Sequence, residues 1–412
     1  MRVPIYLDYA ATTPVDPRVA AAMLPWLSER FGNPASRSHA PGWQAADAVA
    51  TARAQVAALA HCMPEDIVWT SGATESINLA VKGAAQAARD KRHFVTLASE
   101  HPATLDAMRA LEREGHAISV VPVEADGLVD LDRLRAALRS DTLLLSVMAV
   151  NNEIGVRQAL ADIAALTEAR GILLHVDAAQ ASGKIALELS ALPIDLMSFS
   201  AHKTYGPKGI GALFVRRGVR SRLAAQMHGG GQEQGLRAGT LATHQIVGMG
   251  EAFALAGSLQ ASENARIVAL RDRLLGALAD VPSLRVNGDA VARVPHNLNL
   301  SFVGHDAEAL MLSMPELALS SGAACASGHA GGSHVLRAIG CDDAAVHGAL
   351  RITLGRFTTE DEIDIAARVL RRALGLANAR ETPRAALSSA LPEVARRGTP
   401  VGAGTSEALG GH

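Results

Sequence analysis

Ile67-Val-Trp-Thr-Ser-Gly-Ala-Thr-Glu-Ser76 is the stretch on which the fold turns. Ile67, Val68 and Trp69 make an apolar run too short for a helix. Ser71-Gly72 follows as a turn signal, and a helical pattern then runs from Ala73 to about Asp90. The unit recurs downstream. Strands are expected at His93–Leu97, Ala117–Val123, Leu143–Val150, Ile172–Val176, Leu196–Phe199 and Gly211–Val215, with helices between them, among them Thr104–Gly115. Short buried strands separated by amphipathic helices predict an α/β protein with a mostly parallel sheet covered on both faces.

Beyond Val215 the pattern changes. Gly229-Gly-Gly231 precedes two expected helices, roughly 243–260 and 263–280. Strands near Leu284–Val286, Asn297–Phe302 and Leu350–Leu354 then mix with helices near Asp306–Ser313 and from Thr359 to about Leu374. That mixture predicts a second, smaller α+β domain. The expected division is 15–261 for the large domain, 1–14 with 262–375 for the small one, and 376–412 as a tail. From Asn378 onward the tail holds Pro, Gly, Ala, Ser and charges without an aromatic, a composition that predicts disorder.

Composition narrows the function. The chain has 412 residues, 39 Lys+Arg against 41 Asp+Glu, and a net charge of -2, so no strong field draws it to nucleic acid or an anionic membrane. Aromatics at 3% are too few for base-stacking platforms. Cys62, Cys325 and Cys341 cannot make a disulfide framework, and the N-terminus meets a charge before any apolar signal segment. No apolar stretch approaches a membrane span. The expectation is a cytoplasmic protein in a reducing compartment.

Four segments carry chemistry. Ser198-Phe-Ser-Ala-His-Lys203-Thr-Tyr-Gly-Pro-Lys-Gly-Ile-Gly211 places a lysine just after a buried strand, where burial lowers its pKa as a Schiff-base former requires. The same residues also read as a polar loop between strands. Neither a dinucleotide nor a P-loop glycine spacing occurs. Asp177 closes the strand Ile172-Leu-Leu-His-Val, at the end where open α/β sheets bind ligands; it can fix a protonated ring nitrogen or simply cap the next turn. Thr70–Ser76 offers backbone N–H groups to an anion, or an ordinary helix start with Thr70 or Ser71 as N-cap. Ser320–His334 is a small-residue loop carrying the thiol of Cys325, which suits a nucleophile. A metal site from Cys325, His329, His334 and Cys341 is the rival, with a spacing that matches no standard zinc pattern.

Together these segments resemble the fold-type I pyridoxal phosphate enzymes of the class V aminotransferase group, and more closely the cysteine desulfurases of the NifS/IscS type. The resemblance runs from Tyr6-Leu-Asp-Tyr-Ala-Ala-Thr-Thr-Pro14 to about Arg372. It is carried by Phe31-Gly-Asn-Pro34, Thr70–Ser76, Glu100-His101, Val150-Asn-Asn-Glu-Ile-Gly155, His175–Gln180, the Lys203 segment, His228–Glu233, Arg237-Ala-Gly-Thr240, the Cys325 loop and Leu350–Arg356, in family order.

The resemblance implies pyridoxal 5'-phosphate as cofactor and L-cysteine as substrate. It implies that Lys203 holds the cofactor covalently, that His101 stacks on its ring, and that Asp177 pairs with the ring nitrogen and Gln180 with the phenolic oxygen. Ala73, Thr74, Ser200 and His202 would hold the phosphate, and Thr240 would complete that site across a homodimer. Asn152, also a cofactor contact, and Arg351 would grip the substrate carboxylate. Cys325 would accept the sulfur as a persulfide, could ligate iron–sulfur transiently through it, and would pass it to an acceptor or iron–sulfur scaffold protein; the acceptor stays open, because the docking segment of housekeeping members is not recognisable in the C-terminal stretch. Other outcomes of the scaffold stay open as well: selenocysteine lyase, transamination, or a non-catalytic sulfur-trafficking partner.

Overall fold

The computed structural model describes residues 4–321 and 332–376. The first strand, β1 (Ile5–Tyr6), precedes a seven-stranded sheet: β2 (Ile67–Thr70), β3 (His93–Leu97), β4 (Ala117–Val121), β5 (Thr142–Met148), β6 (Leu173–Asp177), β7 (Leu196–Ser200) and β8 (Gly211–Val215). Its order is β2-β8-β7-β6-β5-β3-β4. Only β8 runs against its two neighbours; every other pairing is parallel. The expected mostly parallel sheet is therefore present. Six strands point the same way, so their carboxyl ends share one edge.

Every residue of β2, β3, β5, β6, β7 and β8 is buried, which is why these strands read as apolar runs rather than alternations. Successive residues nonetheless serve opposite faces. Trp69, Val95, Leu145, Leu174 and Phe199 pack into one core with Val49, Val56, Met249 and Phe253. Val68, Phe94, Leu144, Leu173 and Leu196 pack into another with Ile77, Ala80, Val81 and Ala84 of the Ala73–Ala87 helix.

A third core forms around a four-stranded antiparallel sheet of β9 (Leu284–Val286), β10 (Asn297–Phe302), β12 (Ser320–Ser321) and β13 (Ala349–Thr353), ordered β12-β13-β10-β9. Beside it, β11 (Leu317–Ala318) pairs in parallel with β1. Leu298, Leu300, Phe302, Leu350 and Ile352 meet Ile363, Ala366 and Leu370 of the closing helix Glu360–Ala373. Each such side chain contributes about 1.5–3 kcal/mol on burial.

Two expectations change here. The helices expected at 243–260 and 263–280 are one helix of 35 residues, Thr243–Ala277. The junction Ala261-Ser-Glu263 contains neither Pro nor Gly, so nothing interrupts the backbone ladder. The first half of this helix buries Ile246, Met249 and Phe253 in one core, and the second half buries Ile267, Leu270 and Leu274 in another. The helix expected from Thr104 begins at Pro102, capped by the His101 ring. The chain before residue 48, where no alternation was legible, holds the helices Pro17–Met23 and Ala40–Ala60. The tail lies outside the described residues.

Candidate active site

Because six strands share one edge, the turns that follow β2, β3, β5, β6 and β7 converge there. They deliver Ser71–Thr74, Glu100 and His101, Asn152, Asp177 to Gln180, and Ser200 to Lys203. Ser71–Thr74, His101, Asn152, Asp177, Gln180, Ser200, His202 and Lys203 line one cavity of about 380 Å³, with Ala10, Met148, Lys208 and Arg351 among the rest of its wall.

Lys203 ends a tight 3-10 turn, Ala201–Lys203, directly after β7. Its Nζ donates to the carbonyls of Ala10 at 2.7 Å and Ala11 at 2.6 Å. Asp177, the last residue of β6, accepts the Ala179 N–H at Oδ1, 2.9 Å away. Burial pushes its carboxyl up to about 6, against the opposing pull of that N–H and of Lys203. Such a carboxylate is short of a cation. The capping role for Asp177 is met by its Ala179 bond, and its charge remains unbalanced by it.

His101 caps its helix, its Nδ1 accepting the Ala103 N–H at 3.1 Å. Burial, with Lys203 next, lowers its pKa to about 4, so the ring is neutral. His202 is likewise neutral, lowered to about 4 chiefly by burial, with Nδ1 3.0 Å from Thr12 Oγ1. A neutral ring suits stacking and hydrogen bonding, where an imidazolium would repel Lys203.

The turn after β2 departs from the N-cap expectation. The cap is Gly72, with no side-chain hydrogen bond; Thr70 Oγ1 instead pairs with Ser76 Oγ at 2.8 Å. The first N–H groups of the Ala73–Ala87 helix therefore face the cavity beside Ser200 and His202, an anion cradle. Gly72 adopts φ 155° and ψ 177°, a conformation essentially reserved for glycine. A Cβ on Gly211, the first residue of β8, would stand 2.6 Å from Gly72 Cα, so the turn sits hard against that strand.

At the other end stand Asn152 and Arg351. Arg351, 2% exposed on β13, donates to the Asn152 carbonyl at 3.2 Å and to Asp8 Oδ1 at 2.8 Å. Its Nε and the Asn152 Oδ1 are both buried with no hydrogen-bond partner. Both orphaned atoms belong to residues of the cavity wall, and leaving them unpaired costs about 1–3 kcal/mol each.

Ten expected site residues thus meet in one cavity: Ala73, Thr74, His101, Asn152, Asp177, Gln180, Ser200, His202, Lys203 and Arg351. Thr240 does not join them; it is exposed and lines a separate hollow with Asn33, Arg53 and Glu233. Cys325 and His329 lie outside the described residues. Of the metal rival, His334 bonds the Glu100 carbonyl at 2.9 Å and Cys341 bonds Asn287 Oδ1 at 3.6 Å, so the two serve different partners. Burial pushes the Cys62 thiol up to about 12, consistent with an inert core thiol. The sequence reading gave no role to Asp8, Ala10 or Lys184. Lys184 was detectable, because it stands four residues after Gln180; Asp8 and Ala10 reach the site only through contacts more than 160 residues distant in sequence.

The profile of the aminotransferase class-V family matches residues 5–365. The chain is 58% identical over 372 residues to a protein named cysteine desulfurase IscS from Methylococcus capsulatus, covering 90% of this chain and 92% of that one. A protein of the same name from Dechloromonas aromatica is 56% identical over 377 residues, covering 91% and 93%. Among solved structures, a NifS-like protein superposes with a TM-score of 0.85 at 35% identity, covering 90% of this chain and all of that one.

Proposed function

The chain belongs to the aminotransferase class-V family, and from that premise we propose that the cavity around Lys203 is where a pyridoxal 5'-phosphate enzyme takes sulfur from L-cysteine. The enzyme is a cysteine desulfurase, and the sulfur it releases goes to acceptors in iron–sulfur cluster assembly. The residues present fit the cofactor. Asp177 is a buried carboxylate that a protonated ring nitrogen would neutralise. The uncapped helix start at Gly72, with Ser200 and His202, suits a phosphate. Lys203 is an amine that donates to the backbone carbonyls of Ala10 and Ala11.

When bound, pyridoxal phosphate supplies an electron sink conjugated to the substrate's Cα. The chain's own groups do the rest. Asp177 keeps a proton on the ring nitrogen. Arg351 and Asn152 orient the substrate carboxylate, with Arg351 Nε as the N–H donor left over for it. Lys203 Nζ takes the Cα proton and holds it for return. The neutral His101 ring covers one face of the site. Cys325 is the sulfur acceptor in this reading: L-cysteine and the thiol become L-alanine and a Cys325 persulfide, with no external oxidant or reductant.

The observation that carries the proposal is the meeting of Lys203 and Asp177 with the Asn152–Arg351 pair in one cavity. Homodimer formation goes with it. Thr240 stands away from this subunit's cavity, and Leu24, Leu27, Phe31 and Trp43 expose apolar surface that a second copy would cover. We place the boundary between the two domains along the Thr243–Ala277 helix, and the enzyme in the cytoplasm; among the described residues no helix is long and apolar enough to cross a membrane. Incubation with L-cysteine and a reductant tests the function. Equal amounts of alanine and sulfide are expected, and Cys325→Ser should keep the yellow cofactor yet make almost no sulfide. Undiminished alanine from that variant would remove Cys325 from the reaction.

A further inference from the structure

Behind the reaction cavity lies a second, much smaller one of about 20 Å³, and Gln180, Lys203 and Ala10 stand in the wall between the two. On its far side is Lys184, whose Nζ donates to Gln180 Oε1 at 2.9 Å. Gln180 Nε2 in turn donates to the Ala10 carbonyl at 2.8 Å, the same oxygen that accepts from Lys203.

Burial, then Lys203 and Arg351, lowers the Lys184 pKa to about 7, so the amine is charged below that pH; an ammonium can only donate and a carbonyl can only accept. Gln180 therefore has its orientation dictated from both sides: Oε1 must face Lys184 and Nε2 must face Ala10. One hydrogen of Nε2 is used by Ala10, and the other is left for the reaction cavity that Gln180 also lines. We propose that Lys184 is a positioning residue, which locks the Gln180 carboxamide so that its donor end, and never its oxygen, meets the bound cofactor. The inference rests on the reading of the cavity as the pyridoxal phosphate site.

Lys184 is held for this role. The Asn264 side chain donates to its carbonyl at 2.9 Å and Gln260 donates to the Ile185 carbonyl at 2.8 Å, so the long helix fixes the backbone on which the ammonium stands. Of the charged groups sharing its cavity, Glu263 and Arg356 pair with each other, Lys203 donates to the Ala10 and Ala11 carbonyls, and His296 is kept neutral, held well below its usual pKa by burial. No carboxylate competes with Gln180 for Lys184 among the hydrogen bonds of the described residues. Without the ammonium only the Ala10 carbonyl still favours this orientation, and the amide turns more easily to present its oxygen to an anionic phenolic oxygen, replacing an attraction by a repulsion.

The test uses the holoenzyme and three variants, Lys184→Met, Lys184→Arg and Lys184→Gln. The pH titration of the cofactor's visible absorption band is read beside kcat and KM. Loss of a donor to the phenolic oxygen, and of a nearby positive charge, both make the cofactor hold its proton more tightly. Lys184→Met should therefore raise the midpoint by about one pH unit and lower kcat about tenfold, with KM changed less. Lys184→Arg, which still donates, should restore the midpoint. Lys184→Gln keeps a donor but no charge, and should recover most of the effect. An unmoved midpoint in Lys184→Met overturns the proposal. So does equal loss in Lys184→Met and Lys184→Gln with rescue by Lys184→Arg, which would assign the effect to bare charge. A wild-type protein with no visible band at all would instead overturn the reading of the cavity.

Discussion

Asp177 carries a cost that only a bound cation removes. Its ordinary carboxylate pKa of 3.8 rises to about 6 through burial, so between pH 4 and 6 the folded protein binds more protons than the unfolded chain. Stability of the cofactor-free protein therefore falls as pH rises through that window, and the full loss, about 2–3 kcal/mol, is present above pH 6. Asp177→Asn keeps the acceptor for the Ala179 N–H and removes the charge. Cofactor-free Asp177→Asn is expected to be more stable than wild type in urea at pH 7 and equal to it at pH 4, while binding cofactor more weakly. Equal stability at both values would contradict the burial argument. Arg351 is tested by Arg351→Lys, which can keep the charge opposite Asp8 but loses the planar fork and the Nε donor. KM for L-cysteine should rise about tenfold or more, with kcat affected less, in steady-state kinetics. Both residues were named from the sequence. Their electrostatic condition was not, because a pKa depends on which atoms enclose the group.

Elements account for how the site is placed. The shared direction of six strands puts the turns after β2, β3, β5, β6 and β7 at one edge of the sheet, and the one reversed strand, β8, supplies the glycine that lets the anion cradle close against it. The helix over Glu360–Ala373 is a useful contrast, since it is far from the chemistry. Thr359 Oγ1 accepts the Glu362 N–H at 3.2 Å and Glu362 Oε2 accepts the Thr359 N–H at 2.9 Å, a reciprocal cap. Thr359→Ala should cost about 1 kcal/mol in a urea titration and leave cofactor content and turnover unchanged. A loss of turnover without a loss of stability would mean that this helix does more than close the small core. The helix start at Thr359 was legible because Thr followed three residues later by Glu is a local signal. The cap at Gly72 was not, because Thr70 and Ser71 offered better local candidates and only the close approach of Gly211 decides against them.

Across the whole molecule the cores are joined at Arg356. Its guanidinium meets Asp16 at 2.8 Å, pairs with Glu263 of the long helix, and lies 4.2 Å from the centre of the Tyr205 ring, two residues after Lys203. The Arg356 and Asp16 side chains are 7% and 1% exposed, and Asp16 also accepts from Arg18 Nε at 2.9 Å and Nη2 at 2.8 Å, so it keeps a cationic partner when Arg356 is removed. Arg356→Ala is expected to cost about 1–3 kcal/mol, read as a lower urea midpoint, and to loosen cofactor retention as well. An unchanged midpoint would show that Arg18 alone satisfies Asp16 and that the joint at Arg356 adds no stability. What the sequence determined by itself was everything that repeats locally or survives as a motif: the strand–turn–helix alternation, the change of pattern after Val215, and the lysine, aspartate and arginine of the site. These follow from burial of short apolar runs and from residue chemistry at fixed spacing. The tertiary structure alone decided that 243–277 is one helix shared by two cores, that Asp8 and Ala10 reach a cavity built mostly by later strands, and that Lys184 turns its amine inward onto Gln180. In each case the deciding contact joins segments far apart in the chain or depends on which side of an element is covered, and neither is encoded in any window of sequence short enough to be read alone.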